Sequence, residues 1–201
     1  RVSVIKPLAL DGLEGTGSMG DDTALAMLSS MPRSIYDYFR QQFAQVTNPP
    51  IDSLRESSVM SLEACFGPEL NIFEESEDHA KRIVSTSPVL SHKKLSALLK
   101  NPYFPSKNFD LQYPSKSNLK DALRALTKKV VTAVRKGEVI IHLNEQLPDV
   151  DKLSINSLLA VGCIHQELVR LGLRSDANLI VSSASARDTH QIACLLSFGA
   201  T

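Results

Sequence analysis

The sequence of 201 residues contains no tryptophan, few aromatic residues (5%) and only three cysteines. Cys65, Cys163 and Cys194 are 98 and 31 residues apart, which matches no zinc, iron–sulfur or redox motif and excludes a disulfide scaffold. Isolated cysteines are typical of reduced thiols, so we expect a cytoplasmic location. The sequence also lacks an apolar run long enough for a membrane span, and its N-terminus shows no targeting signal.

Net charge is absent as well, because 22 Lys and Arg residues balance 22 Asp and Glu residues. This balance argues against a dedicated binder of nucleic acid or anionic membranes. The charge is unevenly distributed: residues 1–90 hold 7 basic and 13 acidic side chains, and residues 91–201 hold 15 and 9. The halves are expected to attract each other, to face partners of opposite charge, or to form ordinary solvated surface. The 43% hydrophobic content is that of a folded globular protein.

Residues 1–90 are predicted to form a mainly helical and loop segment, and residues 91–201 the portion that contains a parallel sheet. The first long helix must end before Asn48, because Pro49 and Pro50 cannot continue it. Apolar spacing and capping residues predict helices at residues 34–45, 54–60, 76–83 and 91–100.

From residue 107 onward, strands and helices alternate regularly. Strands are predicted at residues 109–113, 139–143 and 179–181, and helices at residues 117–136 (with Ser117 as its cap), 156–171 and 188–198. A strand–helix order repeated three times with short connections predicts an α/β fold, with a small parallel sheet and right-handed crossover helices. The chain begins with Arg1 and ends where a further strand is expected, so we expect a piece of a longer polypeptide.

Residues 15–20 (GTGSMG) match the GxGxxG string of dinucleotide-binding proteins. No apolar strand precedes the string, and Asp21 and Asp22 would place negative charge where the phosphates bind. A loop that passes close to other backbone explains the glycines better. The two carboxylates are candidates for metal ligands, helix caps or arginine partners. We favour a network that holds the loop, formed by Asp21, Asp22, Arg33, Arg40 and Arg55.

Two pairs of side chains are candidates for a thiol nucleophile with a histidine base. His190 and Cys194 are four residues apart on one predicted helix, and Cys163 and His165 share another. Both cysteines lie in apolar sequence, so we expect them in the core instead. No compact set of four ligands supports a zinc site.

The predicted helix at residues 117–136 and its flanks carry a basic surface, formed by Lys116, Lys120, Arg124, Lys128, Lys129, Arg135 and Lys136. Nucleic-acid binding would favour interleaved aromatic residues, which this helix lacks, and Asp121 interrupts the patch. A solvated face, or a contact with the acidic N-terminal half, is the expected role. We expect no nucleic-acid partner.

Residues 46–50 (VTNPP) form an uncharged segment that contains two prolines. Two prolines restrict its backbone, and its polar side chains are uncharged. The segment is either an ordinary helix-terminating turn or a rigid, neutral surface that positions a small molecule. Spacing alone favours the turn.

Several segments form a longer pattern in a fixed order. They are residues 17–23 (GSMGDDT), 32–33 (PR), 36–52 (YDYFRQQFAQVTNPPID), 54–56 (LRE), 60–62 (MSL), 158–162 (LLAVG), 171–174 (LGLR), 185–188 (SARD) and 198–200 (FGA). These segments lie within two blocks, residues 17–62 and 158–200, which together cover about half of the sequence. Through them the chain resembles the central domain of the glutamate synthase large subunit. No segment of residues 74–150 contributes to the resemblance.

The resemblance implies a parent oxidoreductase coupled to a glutamine amidotransferase. In that family an N-terminal cysteine hydrolyses glutamine, and the ammonia travels through an internal tunnel. An FMN site then uses ammonia and 2-oxoglutarate to make glutamate. Electrons arrive through an iron–sulfur cluster, from an electron-donating small subunit or from ferredoxin. The central domain would link the amidotransferase domain to the FMN-binding domain and form part of the tunnel wall.

In this sequence the resemblance implies Met19, Thr47 and Asn48 as tunnel-wall residues. It implies no catalytic residue within the segment. From the residues themselves we expect no cofactor or metal site there and no membrane partner. Because ammonia reacts only in its unprotonated form, a path lined by neutral groups suits its transfer. The first alternative is a free-standing α/β ligand- or nucleotide-binding enzyme that uses residues 15–20. The second is an interaction module that uses the basic helix.

Overall fold

The computed structural model describes residues 5–12, 27–39, 54, 60–145 and 149–201. The chain divides into two units, one formed by residues 1–59 and 186–194 and the other by residues 60–185 and 195–201. The described α-helices are α1 (Ile5–Asp11), α2 (His92–Leu99), α3 (Leu119–Arg135), α4 (Ser157–Arg170) and α5 (Thr189–Ser197). Short 3-10 helices lie at Ile35–Tyr38, Glu77–Ala80 and Arg174–Asp176. The described strands are β1 (Ala64–Phe66), β2 (Ile83–Ser85), β3 (Ser106–Asp110), β4 (Gln112–Pro114), β5 (Ile140–Asn144), β6 (Lys152–Ser154) and β7 (Asn178–Ser182).

The second unit contains a parallel sheet with the strand order β3–β5–β7. Lys107 pairs with Ile141, and Ile141 pairs with Leu179. Each crossover adds its strand beyond the previous one, as the predicted strand–helix order requires. The predicted α/β fold with a small parallel sheet is therefore confirmed. Two antiparallel pairs, β1 with β2 and β4 with β6, accompany the sheet.

The central strand β5 is apolar because it is covered on both faces. Ile140, Ile141 and Leu143 have no exposed surface. On one face lies a cluster formed by Phe66, Leu98, Phe104, Val139, Ile140 and Ile180. Since side chains alternate along a strand, Ile141 and Leu143 face the opposite side.

Helices α3 and α4 pack against each other, α3 against β3 and α4 against β5. Helix α3 is amphipathic and buries one apolar stripe, formed by Leu126, Val130, Val131, Ala133 and Val134. Helix α4 is buried over more of its circumference, through Ser157, Leu158, Ala160, Val161, Ile164 and Leu168. This difference explains why basic residues appear on α3 and not along the buried part of α4.

The first unit has a short 3-10 helix where a long helix was predicted. Ser34 and Asp37 form a capping box around residues Ile35–Tyr38, and Phe39 then adopts an extended conformation (φ −103°, ψ 129°). Tyr36 is fully buried. The predicted helix at residues 34–45 is thus wrong over its first turns, and residues 40–45 lie outside the described part.

Three further sequence predictions need correction. Residues 76–83 do not form one helix, because the 3-10 turn Glu77–Ala80 is followed by β2, which pairs with β1. The alternating residues 109–113 span two strands, since the buried Leu111 turns the chain from β3 into β4. Asn118, not Ser117, caps α3 by accepting the Lys120 N–H at 2.8 Å. The predicted helix at residues 91–100 is confirmed as α2, with Ser91 as its cap.

Helix α1, strands β1 and β2 and the β4–β6 pair were not predicted. Their strands are three residues long, too short for a periodic pattern. Of the predicted helix at residues 54–60, Leu54 is helical, Met60 is not, and residues 55–59 lie outside the described part. Among the described helices, none combines the length and apolarity needed to cross a membrane.

Candidate functional site

Polar side chains meet at the carboxyl end of the parallel sheet. Glu145 follows β5, and Ser183 and Ser185 follow β7. The Ser183 hydroxyl donates to Glu145 Oε2 at 2.5 Å, and the Ser185 hydroxyl donates to the same oxygen at 2.9 Å. Carboxyl ends of parallel strands are where α/β proteins place functional groups. This edge is therefore the candidate site that the fold itself indicates.

The start of α4 completes this edge of the sheet. Asn156 caps the helix by accepting the Leu158 N–H at 2.9 Å, and its amide donates to Ser185 Oγ at 3.4 Å. The fully buried Ser157 places its hydroxyl 3.0 Å from Ser183 Oγ. The cluster thus contains one carboxylate and several neutral groups that already bond to one another. Such an arrangement fixes the loop after β7 and holds no free acid–base pair.

His142 lies on the opposite face of β5 from this cluster. Its Nε2 is 2.8 Å from Ser182 Oγ, whereas Nδ1 is buried without a hydrogen-bond partner among the described residues. Burial lowers the pKa of His142 below its ordinary value. The imidazole is therefore neutral at physiological pH, and the described residues offer it no second partner for proton transfer.

Arg174 connects three segments of the second unit. Its guanidinium donates to His165 Nδ1 at 3.0 Å, to the Ala177 carbonyl at 2.6 Å and to the Gly199 carbonyl at 2.9 Å. A longer contact of 3.4 Å reaches Thr201 Oγ1. Burial lowers the pKa of Arg174, and burial together with the Arg174 charge lowers that of His165. Arg174 therefore has a structural role. Its bond to Gly199 joins residues 171–174 to residues 198–200, two of the segments that carry the resemblance.

Neither candidate cysteine–histidine pair contains an activated thiol. Cys194 is buried, as predicted, and its Sγ lies 3.7 Å from His190 Nε2. Burial, with a smaller effect of Asp188, raises the pKa of the Cys194 thiol, so the thiolate is disfavoured. Cys163 was expected in the core but is exposed, because it lies on the outer face of α4; partial burial raises its pKa too.

No group of three His, Cys, Asp or Glu side chains within the described ranges is arranged to hold a metal ion. Cys65 and Cys163 are exposed and Cys194 is buried, and all three are free. The described side chains therefore do not fit an iron–sulfur cluster, which needs several cysteine ligands together.

The basic residues of α3 and its flanks are all exposed, as predicted for a solvated face. Beside them, an open groove of about 650 Å³ lies between β3, β4 and α3. Lys107 and Lys129 line it together with Asp110 and Asp121, and its floor includes Phe109. Opposite charges are balanced there, so the groove favours neither an anionic nor a cationic ligand.

Most of the predicted site residues fall outside the described part of the chain. This applies to the tunnel-wall residues Met19, Thr47 and Asn48, to the glycine-rich residues 15–20, and to Asp21, Asp22, Arg40 and Arg55 of the loop-holding network. Arg33 is described, and its side chain is exposed. The roles assigned to these residues stay predictions.

The Glu145 cluster (Glu145, Asn156, Ser157, Ser183 and Ser185) and the contacts of Arg174 were not predicted from the sequence. A signal for the cluster existed, since Glu145 and Ser183 each follow a predicted apolar strand of a parallel sheet. The contacts of Arg174 depend on where Gly199 and Thr201 fold back, and no local pattern shows that.

Comparison with known proteins gives matches over the full length of the chain. A family model described as the glutamate synthase central domain matches residues 1–201. The chain belongs to this family. The chain is 41% identical over 204 residues to ferredoxin-dependent glutamate synthase 2, chloroplastic, of Arabidopsis thaliana, with 98% of the chain and 12% of that protein covered.

Two further relatives come from a cyanobacterium and a yeast. Ferredoxin-dependent glutamate synthase 2 of Synechocystis is 42% identical over 212 residues, covering 98% of the chain and 13% of the relative. Glutamate synthase [NADH] of Saccharomyces cerevisiae is 38% identical over 211 residues, covering 98% and 10%. The chain thus spans between 10% and 13% of the length of these relatives.

Proposed function

We propose that this central domain is a non-catalytic connector within a glutamate synthase, between the glutamine amidotransferase domain and the FMN-binding synthase domain. One observation carries the proposal: the central-domain model matches residues 1–201, whereas the glutamate synthases that match are many times longer. A domain of this kind contributes by holding reacting parts in a productive geometry.

The described side chains support a connecting role. The thiol of Cys194 is buried with a raised pKa, and His142 is neutral and buried. The carboxylate of Glu145 already accepts hydrogen bonds from two serine hydroxyls. These groups stabilise the fold and do not form a nucleophile with a base.

The cofactors and electron donor of the parent enzyme belong to this proposal as well. FMN and an iron–sulfur cluster would be bound by other domains of the same polypeptide. Relatives named for ferredoxin and for NADH match the chain at 41% and 38% identity. The central domain therefore suits a parent that receives electrons from ferredoxin or from an electron-donating small subunit. Its three free cysteines suit a reducing compartment, and we propose the cytoplasm.

The proposed ammonia path involves Met19, Thr47 and Asn48. Thr47 and Asn48 precede Pro49 and Pro50, so their segment combines a restricted backbone with uncharged side chains. A neutral wall keeps ammonia unprotonated, because its uncharged side chains do not donate a proton to it. Together these properties would let ammonia reach the synthase domain without loss to bulk water.

The test is a bulky substitution in the complete enzyme. Thr47→Trp should leave glutamine hydrolysis intact and should lower glutamate formation from glutamine at least about tenfold, because the indole narrows the path. Glutamate formation from added ammonia should persist. All three rates are measured on the same preparation.

Two matched variants serve as controls. Thr47→Ser keeps a small neutral side chain and should retain coupling. Tyr103→Trp introduces the same indole at a position that is 76% exposed, and it should leave all three rates unchanged. Equal loss of both synthetic activities in Thr47→Trp would contradict the tunnel role, as would normal coupling in that variant.

A further inference from the structure

The two edges of the parallel sheet differ in their chemistry. At one edge, β3 exposes Lys107, Asn108 and Asp110. Charged and polar side chains on an edge strand hinder pairing with further strands. At the other edge, β7 (NLIVS) carries no charged residue, and its first three residues are buried. The composition of β7 is therefore that of an interior strand.

Hydrogen bonds show which backbone groups of β7 face the open edge. The Asn178 N–H donates to the Val139 carbonyl, and the Ser182 carbonyl accepts the Glu145 N–H, each at 2.8 Å. Because alternate residues of a parallel strand bond to opposite neighbours, Leu179 and Val181 face away from β5. The Val181 N–H and C=O therefore also point away from β5, and outside the β-ladders they form no backbone hydrogen bond with another described residue.

Thr201 already lies against this edge. Its N–H donates to the Leu179 carbonyl at 2.9 Å, and the Leu179 N–H donates to Thr201 Oγ1 at 3.1 Å. The first of these bonds is the one that opens a parallel ladder. The next bond of such a ladder would run from the Val181 N–H to the Thr201 carbonyl.

The chain is held in this position after it leaves α5. Arg174 donates to the Gly199 carbonyl and to Thr201 Oγ1. Gly199 has a φ of +111°, and it lies so close to His165 that no side chain fits there. These contacts fix the direction in which the backbone passes β7.

We propose that the residues following Thr201 in a longer polypeptide form a fourth strand, parallel to β7, which pairs with Val181 and closes this edge. The proposal rests on the proposed function in one respect, since it requires the domain to be part of a longer chain. The order β3–β5–β7 supports the placement, because a right-handed crossover through α5 leads to the same side again.

The test compares amide hydrogen exchange in the 201-residue chain and in the natural, longer polypeptide, at single-residue resolution by mass spectrometry. The Val181 amide should exchange about a hundredfold more slowly, or slower still, in the longer polypeptide. The Leu179 amide, which is bonded already, should change much less. Equal exchange of Val181 in both chains would overturn the proposal. Concentration-dependent protection of Val181 in the longer polypeptide would show edge pairing between two copies and would overturn it too.

A pair of variants tests the hydrogen bond itself. In the longer polypeptide, Val181→Pro removes the N–H, whereas Val181→Ala keeps it and serves as the control. The segment after Thr201 should be protected in Val181→Ala and should lose that protection in Val181→Pro. Equal protection in the two variants would contradict the pairing.

The outcome is independent of ammonia transfer. A protected Val181 amide in an enzyme that does not couple its half-reactions would support the strand and contradict the proposed function. An unprotected Val181 amide in a normally coupled enzyme would contradict the strand and support the proposed function.

Discussion

Replacement of Gly199 by alanine should destabilise the protein more than the same change at glycines that also have a positive φ but have open space around them. A Cβ atom at position 199 would lie 2.5 Å from Cγ and 2.9 Å from Cβ of His165, and closer still to Nδ1. The φ of +111° is also one that alanine rarely adopts. Backbone strain of about 1–3 kcal/mol and overpacking of about 1–3 kcal/mol together predict a loss of about 2–6 kcal/mol.

Two other glycines separate these contributions. Gly137 has a φ of +93° and Gly172 a φ of +68°, and an added Cβ would meet nothing within 4 Å at either position. Gly137→Ala and Gly172→Ala should therefore show the backbone cost alone, about 1–3 kcal/mol. Urea unfolding of the three variants, followed by far-UV circular dichroism, gives the comparison.

A second substitution identifies the atoms responsible. His165→Ala removes the ring that a Cβ at position 199 would contact, so Gly199→Ala should cost less in the His165→Ala background than in the wild type. A role for the His165 ring would be refuted if Gly199→Ala and Gly137→Ala cost the same within about 0.5 kcal/mol, or if removal of the ring leaves the cost of Gly199→Ala unchanged.

Three further predictions concern polar groups in the second unit. Because burial lowers the pKa of His142, protonation favours the unfolded chain; stability should be complete above about pH 6.5 and fall at lower pH. The measurement is the urea midpoint across pH. His142→Gln should flatten its pH dependence, whereas the same substitution at the exposed His92 should not. Asn178→Leu should cost about 1–3 kcal/mol in urea unfolding, since the Gly67 N–H loses its buried acceptor at 2.8 Å; retention of full stability would refute this. Glu145→Gln should cost about 1–3 kcal/mol, because two serine hydroxyls lose a charged acceptor; the exposed Glu75→Gln serves as its control and should be neutral.

The parallel sheet could be predicted because its local and long-range signals agree. The apolar β5 and the stripe of α3 each show the period of their own secondary structure, and Gly137 ends the helix between them. Boundaries were less accurate where a pattern crosses a turn. At Leu111, for example, the alternation continues although the chain passes from one strand to another.

Other elements depend on partners that are distant in sequence. Strand β2 is three residues long and is defined by its pairing with β1, in which Val84 lies opposite Cys65. Cys163 has apolar neighbours on both sides, yet its own position on α4 points away from the buried face. The acceptors of Arg174 come from three separate segments, so no local pattern defines them. For the tunnel wall, the sequence identifies the family and the candidate residues Met19, Thr47 and Asn48. Their position along an ammonia path is what the Thr47→Trp experiment tests.

The ion pairs of the described part have a consequence for how this domain responds to its surroundings. Each of the four joins residues three positions apart, as Asp121 and Arg124 do, and all lie at the surface. Such pairs stabilise single turns weakly and do not hold one element against another. Attachment between elements comes from apolar contacts and from short bonds of Ser, Asn and Arg174. Within the described part of the second unit, changes in ionic strength, which screen surface charges first, should therefore leave the arrangement of strands and helices unchanged.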